Sequence, residues 1–370
     1  MSIAYVPFSE LFEFLPKSKR KAGDGRESGQ YPFYTSSQET IKKTDEPDYE
    51  ADALVFGTGG SASVHYAQEP FSTSGDCLVA VARDRKSTNT STYYRYLTSK
   101  IHLIEVGFRG AGLKHVSKTF LSELLIPKLD HDVQNGIAAI LDKADAIRRK
   151  RQQAIQLADE FLRAVFLDMF GDPSSNPKSW KTAPIKSFGE IVTGNTPSRK
   201  QPEYYGGHIE WIKSDNINTP SHFLTPASEY LSGSGRAVAR TAPAGSILVT
   251  CIAGSRDCIG NVALADREVA FNQQINAIIP NDNVNKWFLY GQILFAKTLI
   301  QSASTNSMKG MVSKSKFEQI EVLNPPERLQ CKFGDIFQKH SELTDNLRTL
   351  YGKSQETFSS IAQRAFRGDL

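Results

Sequence analysis

Apolar residues recur at helical spacing in two long stretches of the chain. The first runs through Ile137, Ile140, Leu141, Ala144, Ile147, Ala154, Ile155, Ala158, Phe161, Leu162 and Val165. The second runs through Phe333, Ile336, Phe337, Leu343, Leu347, Leu350, Phe358, Ile361 and Ala365. Both patterns lie close to positions a and d of a heptad and predict long amphipathic helices. Asp130 and Asp132 are candidate caps for the first helix, and Gly171-Asp172-Pro173 is a stop; the second stops near Gly368. A helix of ~37 residues spans ~55 Å and alone would leave its apolar stripe in water. Two helices of matched length can bury those stripes against each other as an antiparallel coiled coil. Arg151, His340 and Ser354 interrupt that seam, either fixing its register, facing a third protein or lying at its edge.

The segments ahead of the helices read differently. Leu54-Val55-Phe56, Cys77-Leu78-Val79-Ala80-Val81, Ile101-His102-Leu103-Ile104 and Ile247-Leu248-Val249 are short β-type runs bounded by Gly, Ser, Asp and Pro. Polar Gly-containing loops separate them, Gly57-Thr58-Gly59-Gly60-Ser61 in the first half and Ala253-Gly254-Ser255-Arg256 in the second. The halves are also related in sequence. Val116-Ser117-Lys118 returns as Val312-Ser313-Lys314, and at the same offset Gln134 meets Gln330, Ile140 meets Ile336, Lys143 meets Lys339 and Phe170 meets Phe366. An unbroken register over more than fifty residues marks a tandem duplication, and two copies at so long a period exclude a solenoid. The expected fold is α+β: a mixed domain over 1–127, a helix over 128–170, a second mixed domain over 171–324 and a helix over 325–370. The helices pair antiparallel and the copies are related by pseudo-two-fold symmetry.

Composition adds constraints. The 370 residues, 39% hydrophobic and 23% charged, suit two ordinary domains and exclude global disorder. No apolar run approaches 18 residues, so no membrane span is expected. Cys77, Cys251, Cys258 and Cys331 form no CxxC pair, so no metal site is expected and the thiols read as free, mostly buried and in the cytoplasm. The net charge of +4 is too small to announce a nucleic-acid partner. Residues 1–127 carry 15 basic and 15 acidic groups, and 171–324 carry 15 and 12, so the surplus lies mainly in the second domain.

Catalytic motifs are degenerate. Gly352-Lys353-Ser354 has the tail of a phosphate loop, but Leu347 replaces its first Gly within a helical pattern. Asn324-Pro325-Pro326-Glu327 resembles the NPP-aromatic loop of amino-methyltransferases, yet Glu327 cannot stack on a flipped base. Phe56-Gly57-Thr58-Gly59-Gly60 puts Thr58 where a cofactor loop requires Gly, so the two prolines read better as a strand-to-helix junction. The seven histidines show no Ser/Asp partner pattern.

Four stretches of the second half, in order, resemble the specificity subunit of a type I restriction-modification system. Gly194-Asn195-Thr196-Pro197-Ser198 resembles the GxTPS opening. Tyr204-Tyr205-Gly206-Gly207-His208-Ile209-Glu210-Trp211-Ile212, followed by Lys213-Ser214-Asp215, resembles YYGG-x-I-x-W-I. Phe271-Asn272-Gln273-Gln274 resembles the NQ pair, and Pro325-Pro326-Glu327-Arg328-Leu329-Gln330 resembles the PPLEEQ lead-in to a helix. The first half lacks GxTPS and W-x-x-x-D; its Gly29-Gln30-Tyr31-Pro32-Phe33-Tyr34 resembles the family's other opening, G-x-Y-P-x-Y.

The resemblance implies two target-recognition domains that read an asymmetric bipartite site in double-stranded DNA, with the helices as spacer. A ~55 Å ruler corresponds to at most ~16 base pairs. It implies no catalysis and no cofactor in this chain. The partners would be two modification subunits, which use S-adenosylmethionine, and ATP- and Mg-dependent restriction subunits. The rival readings are a stand-alone methyltransferase or nuclease, and a coiled-coil adaptor that has lost DNA binding. Polar and basic loop residues are the DNA-binding candidates. In the first half they are Ser36, Ser37, Gln38, Thr58, Ser61, Arg83, Arg85, Arg109 and Lys114; in the second, Arg199, Lys200, Lys213, Asn216, Ser255, Arg256, Asn272, Gln273, Asn306 and Lys309. Each could equally be a solvated loop residue or make a local turn bond. Asn272 and Gln273 could be buried amides bonding backbone, whereas Arg109 and Arg256 could pair bidentately with guanine. The run Arg148-Arg149-Lys150-Arg151 reads as a solvated helix face, with phosphate contact or partner docking as alternatives. Lys17, Lys19, Arg20 and Lys21 form either a backbone clamp or a mobile loop.

Overall fold

The computed structural model describes residues 3–38, 42–110, 114–305 and 310–366. The chain divides into two compact units, one combining Met1–Gln152 with Thr349–Leu370 and the other spanning Gln153–Arg348. The central helix His131–Phe170 and the C-terminal helix Glu327–Ala365 each contribute to both units.

In the first unit the strands Phe12–Phe14, Cys77–Ala82, Ala53–Gly57 and Ser63–Ala67 lie side by side in that order, all antiparallel. Successive strand residues face opposite sides. Leu54 and Phe56 therefore enter a core with Phe8, Phe12 and Tyr93, while Ala53 and Val55 enter another with Tyr34 and Phe71. With both faces covered, the strand reads as a continuous apolar run. In the second unit Gly189–Thr193, Ile275–Pro280, Ile247–Thr250 and Val262–Leu264 have the same order and sense. Ile247 and Val249 join a core with Phe166, Phe288 and Phe333, and Leu248 faces Phe271 and Ile212.

A smaller sheet is repeated too. Tyr31–Tyr34 pairs antiparallel with Lys42–Thr44 and parallel with Ser72–Thr73. Tyr205–Ile212 pairs antiparallel with Tyr230–Leu231 and parallel with Val269–Phe271. The duplication read from the sequence is thus a duplication of topology.

The repeated residues have shared local jobs. Ser117 and Ser313, from the Val-Ser-Lys repeats, are helix N-caps whose hydroxyls accept from the N–H of Phe120 and Lys316. Asn89 and Asn285 cap corresponding ten-residue helices, Thr90–Ser99 and Lys286–Phe295. Gln134 is buried at the start of the central helix; its amide donates to the Ser87 and Leu129 carbonyls and accepts from Asn89 N–H at 2.7 Å. Its counterpart Gln330 donates to the Pro325 carbonyl. Asn324 to Pro326 join the strand Glu321–Leu323 to the C-terminal helix, as the two prolines suggested. Gly171 ends the central helix in the left-handed region, at φ 79°.

One expected strand is a helix. Ile101–Ile104 is a β-type run by sequence, but His102–Glu105 forms a helical turn that buries Ile104 completely. A four-residue apolar run carries no period that separates a strand from a buried helical turn.

Within each unit the two long helices touch in antiparallel sense. In the first, Arg148 reaches Gln355 and Arg151 donates to the Leu350 carbonyl at 2.6 Å, so one helix ascends as the other descends. In the second, Asp159 lies by His340 and Arg348, while Leu162, Phe166, Phe333 and Phe337 share one core. Burying each such aromatic contributes ~1.5–3 kcal/mol. The basic run is only partly a solvated face, because Asp145, itself buried, pairs with both Arg148 and Arg149. His340 and Ser354 are buried and not at an open edge. Arg20 is held by two hydrogen bonds to Asp48, at 2.7 and 2.8 Å, which fixes that part of the opening basic run.

Candidate nucleic-acid interface

In the second unit three of the four motif stretches, those around Gly194, Tyr205–Trp211 and Phe271–Gln273, converge at one end of the four-stranded sheet. The chain leaves the strand Gly189–Thr193 at Gly194, whose N–H donates to the Ile275 carbonyl. A Cβ at Gly194 would stand 2.3 Å from the Asn272 carbonyl oxygen and 2.4 Å from that of Phe271, so the close approach demands glycine. Asn195 N–H donates to Phe271 O, and the Asn195 side chain bridges the Val238 carbonyl and Arg240 N–H. Thr196 donates to Gln273 Oε1, Tyr205 to the Pro197 carbonyl, and the Trp211 indole to the Asn195 carbonyl.

Two expected DNA-binding cations flank this clasp. Arg199 stacks over Tyr205 at 4.3 Å and Trp211 at 5.1 Å, and Lys213 lies 5.2 Å from the Trp211 ring. Both pair with one carboxylate, Glu229. The Arg199 hydrogen bond, with help from Lys213, holds the Glu229 carboxyl down at about 2 despite some burial. Two cations on one permanent anion leave a single positive charge beside two aromatic faces.

The other second-half candidates divide into framework and exposed groups. Asn216 is buried, with its amide accepting from Lys213 N–H and donating to the Pro226 carbonyl, both at 3.0 Å. Asn272 is buried and bonds Gln274 twice, so both amides are spent inside the unit. Gln273, Lys200, Ser255 and Arg256 are exposed. Ser255 caps the turn Arg256–Cys258. That turn follows the strand Ile247–Thr250, past whose end Cys251 N–H bonds Gln274 O, so it leaves the same end of the sheet. The Arg256 guanidinium pairs with no carboxylate among the described residues. Asn306 and Lys309 lie outside the described residues.

The first unit builds a corresponding loop cluster. Thr58 is buried and, like Ser36, donates its hydroxyl to the Asp76 carbonyl. Gln38 donates to the Ala62 carbonyl, and His65 Nε2 lies 3.0 Å from the Ser37 carbonyl. Gly60 N–H bonds the Lys114 carbonyl, and His115 pairs with both Gly59 and Arg109 through backbone. Ser36, Ser37, Gln38, Thr58, Ser61, Arg109 and Lys114 are thereby brought to one sheet end, with Gln38, Ser61, Arg109 and Lys114 exposed. Arg83 and Arg85 are not among them. They follow the far end of the strand Cys77–Ala82, ~20 Å along it, where Arg83 meets Ser9 and Glu13 and Arg85 meets Ala51 and Asp52.

Glu229, Trp211, Thr196 and Arg240 in one unit, and Asp76 and His115 in the other, belong to these clusters without having been selected from sequence. Trp211 had the signal, since it stands inside a motif stretch; Glu229 had none, lying 16 and 30 residues from its cations.

Two copies of one topology, each with polar loops gathered at the same sheet end, define a tandem-repeat scaffold with one loop cluster in each unit. The family model described as "Type I restriction modification DNA specificity domain" matches residues 4–157 and 177–353, and the chain belongs to that family.

Curated relatives agree in kind. The chain is 32% identical over 172 residues to the type I restriction enzyme HindI specificity subunit of Haemophilus influenzae, a match covering 44% of this chain and 36% of that protein. It is 30% identical over 203 residues to the MjaIX specificity subunit of Methanocaldococcus jannaschii, covering 52% and 44%. The matches thus span less than half the length of these relatives. The fold resembles the crystal structure of a type I restriction-modification S subunit from M. genitalium, with TM-score 0.68, 14% identity, and 98% and 96% of the two chains covered. A structure from work on complex assembly and conformational transition of the type I R-M system gives TM-score 0.56 at 15% identity, covering 100% and 98%. Among the described residues no helix is long and apolar enough to cross a membrane.

Proposed function

We propose that this chain is a non-catalytic DNA-reading subunit. Each unit's loop cluster grips one half of an asymmetric bipartite duplex site, and the long helices set the half-site spacing. The observation that carries this reading is the placement of polar loops at the corresponding end of two topologically equivalent sheets. Family membership supports it, as do the degenerate catalytic motifs. Unlike loops on like frameworks suit an asymmetric target, whereas a homodimeric reader needs a palindrome.

In this reading the chemistry belongs to partners: two modification subunits that methylate adenine with S-adenosylmethionine, and restriction subunits that use ATP and Mg. The long helices carry large apolar side chains in water, among them Ile140, Ile147, Leu157, Leu343 and Phe161, which is 62% exposed. Such groups on an otherwise charged surface suit protein docking. The experiment is reconstitution. The isolated chain should bind duplex DNA with strong salt dependence and methylate nothing, and adding modification subunits should confer adenine methylation at one bipartite sequence. Methylation by the isolated chain with S-adenosylmethionine would sink the reading.

A further inference from the structure

Three side chains far apart in sequence meet inside the second unit. Asp159 comes from the central helix, His340 from the C-terminal helix, and His222 from the segment that precedes Phe223 and Leu224. One potential ligand atom from each lies within 4.8 Å of the others, the one such group of three among the described residues. His340 Nε2 stands 3.4 Å from Asp159 Oδ1. His340 is 6% exposed and His222 8%, yet neither His340 ring nitrogen has a hydrogen-bond partner, and His222 Nε2 has none. Buried polar atoms are rarely left so. We propose that Asp159, His222 and His340 form a binding site for one divalent transition-metal ion, zinc above all, with water in the remaining position.

The donor set suits that chemistry. Imidazole and carboxylate ligands select zinc, copper, nickel and cobalt over magnesium and calcium, and three protein ligands plus water is a common zinc arrangement. The second shell is present: Tyr290 Oη lies 3.1 Å from His222 Nδ1, so a Nδ1–H donated to Tyr290 leaves the Nε2 lone pair for the metal. Phe337 packs against both imidazoles, with ring centres 5.1 and 6.3 Å away. Metal binding needs neutral imidazole and ionised carboxylate.

Two features define the site further. Tetrahedral ligands ~2.1 Å from zinc stand roughly 3.4 Å apart, so binding draws the three groups inward from their present span. Arg348 lies 3.6 Å from Asp159 Oδ2, the oxygen turned from His340, and Asp345 lies 3.7 Å from Arg348. The guanidinium can remain on the outer carboxylate oxygen, but its charge opposes the cation. At the repeat offset Asp159 and His340 correspond to Gln355 and Ala144, so the first unit has no equivalent site and the stoichiometry is one. A bound ion would tie both long helices to the segment leading into the second unit's core.

The test uses the full chain, stripped with chelator and titrated with Co²⁺ and then Zn²⁺, read by visible absorption and by thermal melting. The expected result is one equivalent of cobalt with a nitrogen/oxygen-type spectrum, displaced by zinc, and a higher Tm with either ion. His340→Gln and Asp159→Asn should each weaken binding by at least ~100-fold, since loss of an outer partner alone costs 10–100-fold. Arg348→Gln should tighten it, and Cys258→Ser with Cys331→Ser should leave it unchanged. Half-exposed Asp159 lets its variant carry the test if His340→Gln fails to fold, with circular dichroism as the check. The site is refuted if the folded wild-type chain takes up neither ion, or if uptake survives in the folded Asp159→Asn or His340→Gln chain. Uptake that shows a thiolate band and vanishes with Cys331→Ser refutes it equally.

Discussion

Replacing Glu229 with Gln removes the one carboxylate that serves both Arg199 and Lys213. Its carboxyl falls from an ordinary 4.5 to about 2, chiefly through the Arg199 hydrogen bond. At ~1.4 kcal/mol per tenfold, that shift sets a ceiling of roughly 3 kcal/mol on its contribution to stability. The cluster is partly in water, with the Arg199 side chain 54% exposed and that of Glu229 28% exposed. Solvent screening reduces the expected loss to ~1 kcal/mol. The sign follows from the depressed folded value: the contribution is complete above pH 4.5 and is lost as the pH falls toward 2. Urea denaturation should therefore show Glu229→Gln destabilised by ~1 kcal/mol at pH 7, with the gap narrowing at pH 3.5. The same variant releases two cations beside Tyr205 and Trp211. If this face meets DNA, the slope of log affinity against log salt should steepen by about one unit per phosphate gained. A stability difference that stays constant from pH 7 to pH 3.5 would refute the ion-cluster argument, and an unchanged salt slope would remove this face from the DNA interface.

Gly194→Ala forces a methyl group against two backbone carbonyls that cannot move independently, and should cost ~1–3 kcal/mol or more in urea while disturbing the Thr196–Gln273 contact. Gln134→Ala strands the Asn89 N–H and two carbonyls at a buried helix start; a loss of ~2 kcal/mol is expected by thermal or chemical denaturation, more than for Gln330→Ala. In the folded chain Cys331 should react readily with a thiol reagent. Cys77 and Cys251 should resist until denaturation, because burial pushes their thiols up to about 11 and about 12.

The duplicated architecture was legible because repetition and period are properties of sequence. Ser117 and Ser313 announce two equivalent caps, and the heptad-like stripes announce two helices that need partners. Failures arose where meaning depends on tertiary surroundings. Ile101–Ile104 is apolar in either a strand or a buried turn. Asn216 and Thr58 look like loop groups open to a ligand until the carbonyls of Pro226 and Asp76 are found against them. Arg83 and Arg85 were grouped with the other first-half candidates by charge, although a whole strand separates them from the loop cluster. Glu229 and the Asp159, His222 and His340 group lie at separations that no local pattern links, and only the fold brings them together.

In the proposed role this chain chooses a DNA sequence for enzymes that it does not itself contain. The most direct measurement is the adenine methylome of a host carrying the complete system, compared with the same host lacking this gene alone. One bipartite, asymmetric adenine-methylation motif should disappear with the gene and return on complementation. An unchanged methylome in a host whose modification subunits remain expressed and active would contradict that role.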